Sequence, residues 1–172
     1  MDLRTALLEE YSKAYTLKIA TYIGADDQRF AELMNLFLHS SYRITQYAAR
    51  VVDYCVAAHP ELIQPYLSVL SQQLGKPAHD TLKRNILRLL QDTPLPEALW
   101  GEVADNCFGF LMDKKAAIAI KVFSMTVLLQ IVRQVPELKQ ELKLVLEEQL
   151  PYGSPGFVNR AQKVLKSLEK LV

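Results

Sequence analysis

An all-α fold, with four helical hairpins stacked behind an N-terminal helix, is predicted by three features of this 172-residue chain. Residues 60–74 (PELIQPYLSVLSQQL) return as residues 136–150 (PELKQELKLVLEEQL), with eight of fifteen positions identical. A weaker copy starts at Pro96-Glu97-Ala98-Leu99, so the prolines at 60, 96 and 136 step by 36 and then 40 residues, a period that marks a stacked helical array. Apolar residues recur three and four apart in nearly every segment, and no long stretch alternates with the period of two that a strand needs.

Each element has its own signal. Leu3, Leu7, Tyr11, Tyr15, Ile19 and Tyr22 stripe one face of a single opening helix within residues 1–24, stopped by Gly24. Asp26 caps a second helix through Leu38, and Ser40 or Ser41 starts a third with Ile44, Ala48, Val51, Val52 and Cys55 inward, which makes a hairpin of 26–59. Pro60 opens the next helix, because a proline in the first turn lacks only an N–H that has no helical acceptor. Gly75 and Pro77 break that helix, and Leu82, Ile86, Leu89 and Leu90 face inward on its partner, giving 60–92. Pro94 and Pro96 open a helix ending near Leu111. Asp113 caps the following one, inward through Ile118, Val122, Met125, Leu129 and Val132, which completes 94–135. Pro136 opens the penultimate helix, residues 151–156 form a turn, and Phe157, Ala161, Val164, Leu165, Leu168 and Leu171 face inward on the last, giving 136–172. No linker long enough to separate two domains is visible, so a single domain over 1–172 is expected.

Composition narrows the class. Half the residues are apolar and 23% are charged, which suits a folded chain with a real core and excludes a disordered one. Cys55 and Cys107 sit in apolar helical patterns with no close Cys or His neighbours, so they are expected as buried reduced thiols. Residues 1–23 carry acids and bases throughout, unlike a secretory leader. The apolar run at 116–132 contains Lys121 and Gln130 and is too short to span a membrane. A cytoplasmic protein without membrane contact is expected.

The repeat length, the prolines at the first helices and the paired-helix pattern make the chain similar to HEAT-repeat and armadillo-like proteins from Asp26 onward. That resemblance implies a right-handed α-α superhelix in which first helices form a convex layer and second helices a concave one. Asp80 with Arg84, and Asp113 with Lys121, match the Asp and basic residue that such repeats often carry at the hairpin turn and in the second helix.

Charge divides along the same lines. The first helices of the four hairpins hold eleven acidic residues against three basic, and the second helices hold thirteen basic against five acidic. The resemblance thus implies a cationic trough with an acidic back, and such a concavity concentrates ligands of opposite sign. Arg43, Tyr47, Arg50 and Tyr54 follow spacings of four, three and four along one side of a helix, and Arg and Tyr are enriched among residues that dominate binding energy. Arg84, Arg88, Lys121, Arg160 and Lys163 extend the candidate partner-binding set. In the alternative, Tyr47 and Tyr54 pack on a neighbouring hairpin while the arginines reach to water.

Nothing in the chain has the pattern of a catalytic motif. His39, His59 and His79 fall at turns or helix starts, where capping or exposure is expected, and none has metal-ligand spacing to a Cys or carboxylate. Phosphate loops, a nucleophile elbow and an H-E-x-x-H motif are absent from the sequence. DNA alkylation-repair glycosylases use a similar HEAT-like scaffold with an Asp set among tryptophans. Here Trp100 falls on a first helix and Asp53 diverges from Tyr54, so the resemblance carries over the scaffold without a catalytic residue. The sequence therefore predicts a module without enzymatic activity or cofactor that binds an acidic protein segment. The alternative is a nucleic-acid-binding relative of those glycosylases, and no motif specifies an oligomeric state.

Overall fold

Short polar side chains head four of the α-helices, and the computed structural model, which describes residues 1–171, shows where each one acts. Asp2 Oδ1 accepts the Thr5 N–H at 2.8 Å and heads α1 (Leu3–Glu9). Ser12 Oγ accepts the Tyr15 N–H at 3.1 Å and heads α2 (Lys13–Ile23). The expected single opening helix is thus two helices, because Glu10 turns extended (φ −149°, ψ 135°) and local side-chain bonds outcompete the helix ladder. Ser12 Oγ donates to Glu10 Oε1 at 2.6 Å, and the Tyr15 hydroxyl donates to Glu9 Oε2 at 2.7 Å, which tie the break from both sides. Tyr11, expected on the striped face of one helix, consequently lies exposed at this corner. Gly24 ends α2 with φ +52°, a conformation that a residue with a Cβ adopts only under strain.

Asp26 Oδ1 accepts the Arg29 N–H at 2.9 Å and heads α3 (Asp27–His39), and α4 (Tyr42–Ala58) follows Ser41. Arg29 donates to Tyr22 O at 2.6 Å and lies over the Tyr22 ring at 4.1 Å, fastening the α2–α3 corner. Pro60–Tyr66 is a 3-10 segment leading into α5 (Leu67–Leu74). His79 Nδ1 accepts the Leu82 N–H at 3.1 Å and heads α6 (Asp80–Leu90). α7 (Glu97–Met112) begins after Pro96, so Pro94 and Leu95 precede the helix. α8 (Ile118–Gln134) begins five residues after Asp113, whose carboxylate accepts the Lys115 N–H at 2.9 Å and closes a turn instead of capping the helix as expected. Lys114 and Lys115 accordingly belong to that turn. A short 3-10 segment at Pro136–Leu138 leads into α9 (Lys139–Gln149), a third covers Leu150–Tyr152, and Ser154 heads α10 (Pro155–Glu169). The expected hairpin ending at 172 includes Val172, which lies outside the described residues.

The sequence repeat is also a structural repeat. α4 and α8 are both 17 residues long and lie 76 residues apart at each end (42 and 118, 58 and 134). Both end at the same corner, with His59 at φ −138°, ψ 77° and Val135 at φ −125°, ψ 78°. The residue before a proline is kept out of the helical region, which stops each helix there. In each copy the corner N–H bonds four residues back at 2.8 Å, His59 to Cys55 O and Val135 to Ile131 O. What differs is the next turn. Pro65 has no N–H to donate, and its copy stays 3-10 for seven residues, whereas Glu141 stands at that place in the second copy and the 3-10 turn lasts three.

Two compact units result, Met1–Leu70 and the chain from Ser71 onward. In the first, α1, α2, α3 and the 3-10 segment pack around α4. In the second, α6, α7 and α10 pack around α8, and α9 packs on α10 and α7. The second helices α6 and α10 therefore both neighbour α8. α8 is buried on nearly every side through Ile120, Ser124, Met125, Val127, Leu128, Leu129, Ile131 and Val132, as expected of a helix apolar all round. Ile118, expected inward, is exposed, and Val122 is half-buried, while Ile120 in the same first turn of α8 is buried, so the covered side of that turn is not the one the spacing picked. The inward sets expected on α4 and α6 are buried in full.

Candidate functional site

The residues singled out on α4 do gather. Arg43 and Arg50 are exposed, and Tyr47 and Tyr54 are half-buried on the same side of the helix. Tyr11 stacks on Tyr47 with ring centroids 4.3 Å apart and planes at 22°, and the Arg43 guanidinium lies 5.7 Å from the Tyr47 ring. Tyr11 lies in the break between α1 and α2, both of which pack on α4. Beside the stack is a cleft of about 160 Å³ lined by Tyr11, Ser12, Lys13, Thr16, Arg50 and Tyr54. Tyr47 thus packs on the N-terminal corner, while both arginines reach water. The sequence reading missed Tyr11 and Lys13 as members of this face; the Glu10-Tyr11-Ser12 run, with a capping residue inside an apolar stripe, was the available signal.

The structural repeat supplies an internal comparison. At the places in α8 that correspond to Arg43, Tyr47, Arg50 and Tyr54 stand Ala119, Phe123, Thr126 and Gln130. Thr126 Oγ1 accepts from Arg160 Nη1 at 2.7 Å. Gln130 Nε2 donates to Leu90 O and Thr93 O, each at 3.0 Å, and its Oε1 accepts the Leu95 N–H at 3.1 Å. In the second copy two of these positions, Thr126 and Gln130, serve the fold's own side chains and backbone. In the first the four positions carry two exposed cations and two tyrosines.

The remaining candidates lie in the second unit. Arg84 and Arg88 are half-buried on α6. Arg160 is also half-buried, and besides Thr126 it donates to Gln91 Oε1 at 3.3 Å, so its guanidinium links the end of α6, α8 and α10. Lys163 is exposed on α10, and Lys121 lines a separate groove at the start of α8. His79 is the α6 cap, His59 Nδ1 lies 3.7 Å from Glu61 Oε1, and His39 is exposed. Trp100 Nε1 donates to Leu95 O at 2.9 Å. Among the described residues, no group of three or more His, Cys, Asp or Glu side chains could hold a metal ion, and no helix is long and apolar enough to cross a membrane. Burial pushes the Cys55 thiol up to about 11 and the Cys107 thiol to about 12, so both are protonated and unreactive near neutral pH.

An all-helical chain with a duplicated helix and corner belongs to the class of α-helical repeat proteins. The family model of the HEAT repeat domain matches residues 3–168, and the chain belongs to that family. No curated protein and no solved structure matches it.

Proposed function

We propose that this HEAT-repeat chain is a non-catalytic interaction module whose α4 face holds an acidic segment of a partner protein. The observation that carries this reading is the contrast between the two copies of one helix. None of the corresponding positions in α8 carries a charge, so the two exposed arginines of α4 are not a demand of the repeat. Arg43 and Arg50 stand two turns, about 10 Å, apart along the helix axis. Each guanidinium can take a carboxylate through paired N–H donors. Tyr47, stacked on Tyr11, holds a flat surface at little cost in side-chain freedom. Lys13 adds a third cation at the cleft.

The test is binding of a synthetic Asp- and Glu-rich peptide containing one aromatic residue, followed by fluorescence anisotropy, to the wild type and to the Arg43→Glu/Arg50→Glu variant. Binding is expected to be lost in the variant, with melting nearly unchanged, since exposed substitutions alter stability by less than about 0.5 kcal/mol. Equal binding by the two proteins overturns the reading, and a variant that unfolds makes the stripe structural. Duplex DNA is run in parallel. Tight DNA binding that falls log-linearly with salt, with no peptide binding, transfers the face to nucleic acid.

A further inference from the structure

A second surface lies in the other unit and is independent of the α4 reading. The turn between α7 and α8 and the turn between α9 and α10 face one another across a groove of about 750 Å³, within the size range of ligand-holding clefts. Leu111, Ala116 and Phe157 give it an apolar floor. Met112, Ile118 and Tyr152 line it while being 60%, 53% and 89% exposed, which concentrates large uncovered apolar side chains in one place. Lys114 and Lys121 stand on the α7–α8 side, and Glu148 stands on the α9 side.

The two walls are held in place from below. Gln149 Nε2 donates to Leu111 O at 2.8 Å, joining the end of α9 to the end of α7. A Cβ at Gly153 would sit 2.6 Å from Phe157 Cδ1, so glycine alone lets the 150–154 turn close against the floor. Such a groove is formed before anything enters it, which lowers the cost of binding.

We propose that this groove docks an amphipathic segment of another protein, with large apolar side chains on the floor and a carboxylate toward Lys114 and Lys121. Charge complementarity selects that occupant. The α7–α8 side of the groove offers Lys114 and Lys121, and a second copy of this chain brings one carboxylate, Glu148, on its own groove to meet two lysines. Met112 suits a peptide surface, since its unbranched side chain adapts to the shape it meets.

The probes are a synthetic helical peptide with leucines three and four residues apart and glutamates flanking them, the same peptide with lysines in place of the glutamates, and a serine-for-leucine form. Fluorescence anisotropy against the full chain is expected to show the glutamate peptide binding about tenfold or more tighter than the lysine peptide, with the serine form silent. Lys114→Glu/Lys121→Glu should reverse the order of the two leucine peptides. Ile118→Ser with Met112→Ser should weaken both, and methyl NMR of Met112 and Ile118 should shift on addition of the glutamate peptide. Arg43→Glu/Arg50→Glu should leave all of this unchanged, which separates failure of this proposal from failure of the α4 reading. Equal affinity for the two leucine peptides, no binding at all, or an order unchanged by the lysine reversal overturns the proposal. Concentration-dependent self-association in sedimentation that disappears with Ile118→Ser also overturns it and assigns the groove to a second copy. If the serine variants melt early, the lysine reversal still decides.

Discussion

Leu70 and Leu146 occupy the same place in the two copies of the repeated segment, and both are fully buried. Truncating either to Ala removes the side chain from a packed site and is expected to cost about 2–5 kcal/mol, read as a lower denaturant midpoint at unchanged slope. Cys55 and Cys107 make a second prediction. Their folded pKa values, about 11 and about 12, lie above the ordinary 9.0, so they lower stability only where an unfolded thiol would ionise. Their contribution is fully present below about pH 9 and is lost as pH rises toward 11 and 12. Melting temperature should therefore fall over that window, and fall less in a Cys55→Ala/Cys107→Ala chain. Single residues were legible wherever one face of a helix is buried, as with Ile44, Val51 and Val52 on α4. On α8 Met125, Leu129 and Val132 are buried as expected, but apolar residues surround the helix and periodicity cannot say that Ile118 is outward. Its counterpart 76 residues earlier, Tyr42, is 67% exposed, and matching the two copies was the signal that could have placed it.

At the scale of elements, one side chain fastens a loop that has no regular structure of its own. Gln130, on α8, takes up Leu90 O at the end of α6 and Thr93 O and Leu95 N–H in the connection to α7. Gln130→Leu keeps the volume but strands three partners, and a loss of about 1–3 kcal/mol in chemical denaturation is expected for each group left buried and unpaired, less where water reaches it. A wild-type midpoint in that variant would show that the loop is held elsewhere. The elements themselves were readable from proline, glycine and capping residues, and most starts fall where those residues put them. The failures are local competitions. Ser12 bonds its neighbours and breaks a stripe that reads as one helix, and Asp113 closes a turn through Lys115 before α8 can start. Pro65 keeps a whole turn 3-10 where its counterpart Glu141 allows an α-helix. Each of these depends on which hydrogen bond wins over two or three residues, and hydrophobic spacing carries no record of that.

Across the whole molecule, the repeat announced the class, and the family match over residues 3–168 agrees with it. The binding surfaces were only half visible. The α4 stripe could be read from spacing, but its partner Tyr11 comes from a corner that spacing concealed. The groove of the second unit is made by two turns, with residues as far apart as Leu111 and Phe157, and nothing local brings those together in a sequence. Because the two surfaces belong to separate units, each answers to its own substitutions, and the variants proposed above can be combined to test them side by side. The shared corner at His59 and Val135 has a use of its own. Both joints adopt the same dihedral angles ahead of a proline, so a gene spliced to run from codon 135 into codon 60 would ask the polypeptide for no conformation it does not already hold. The backbone already holds that joint at two places 76 residues apart.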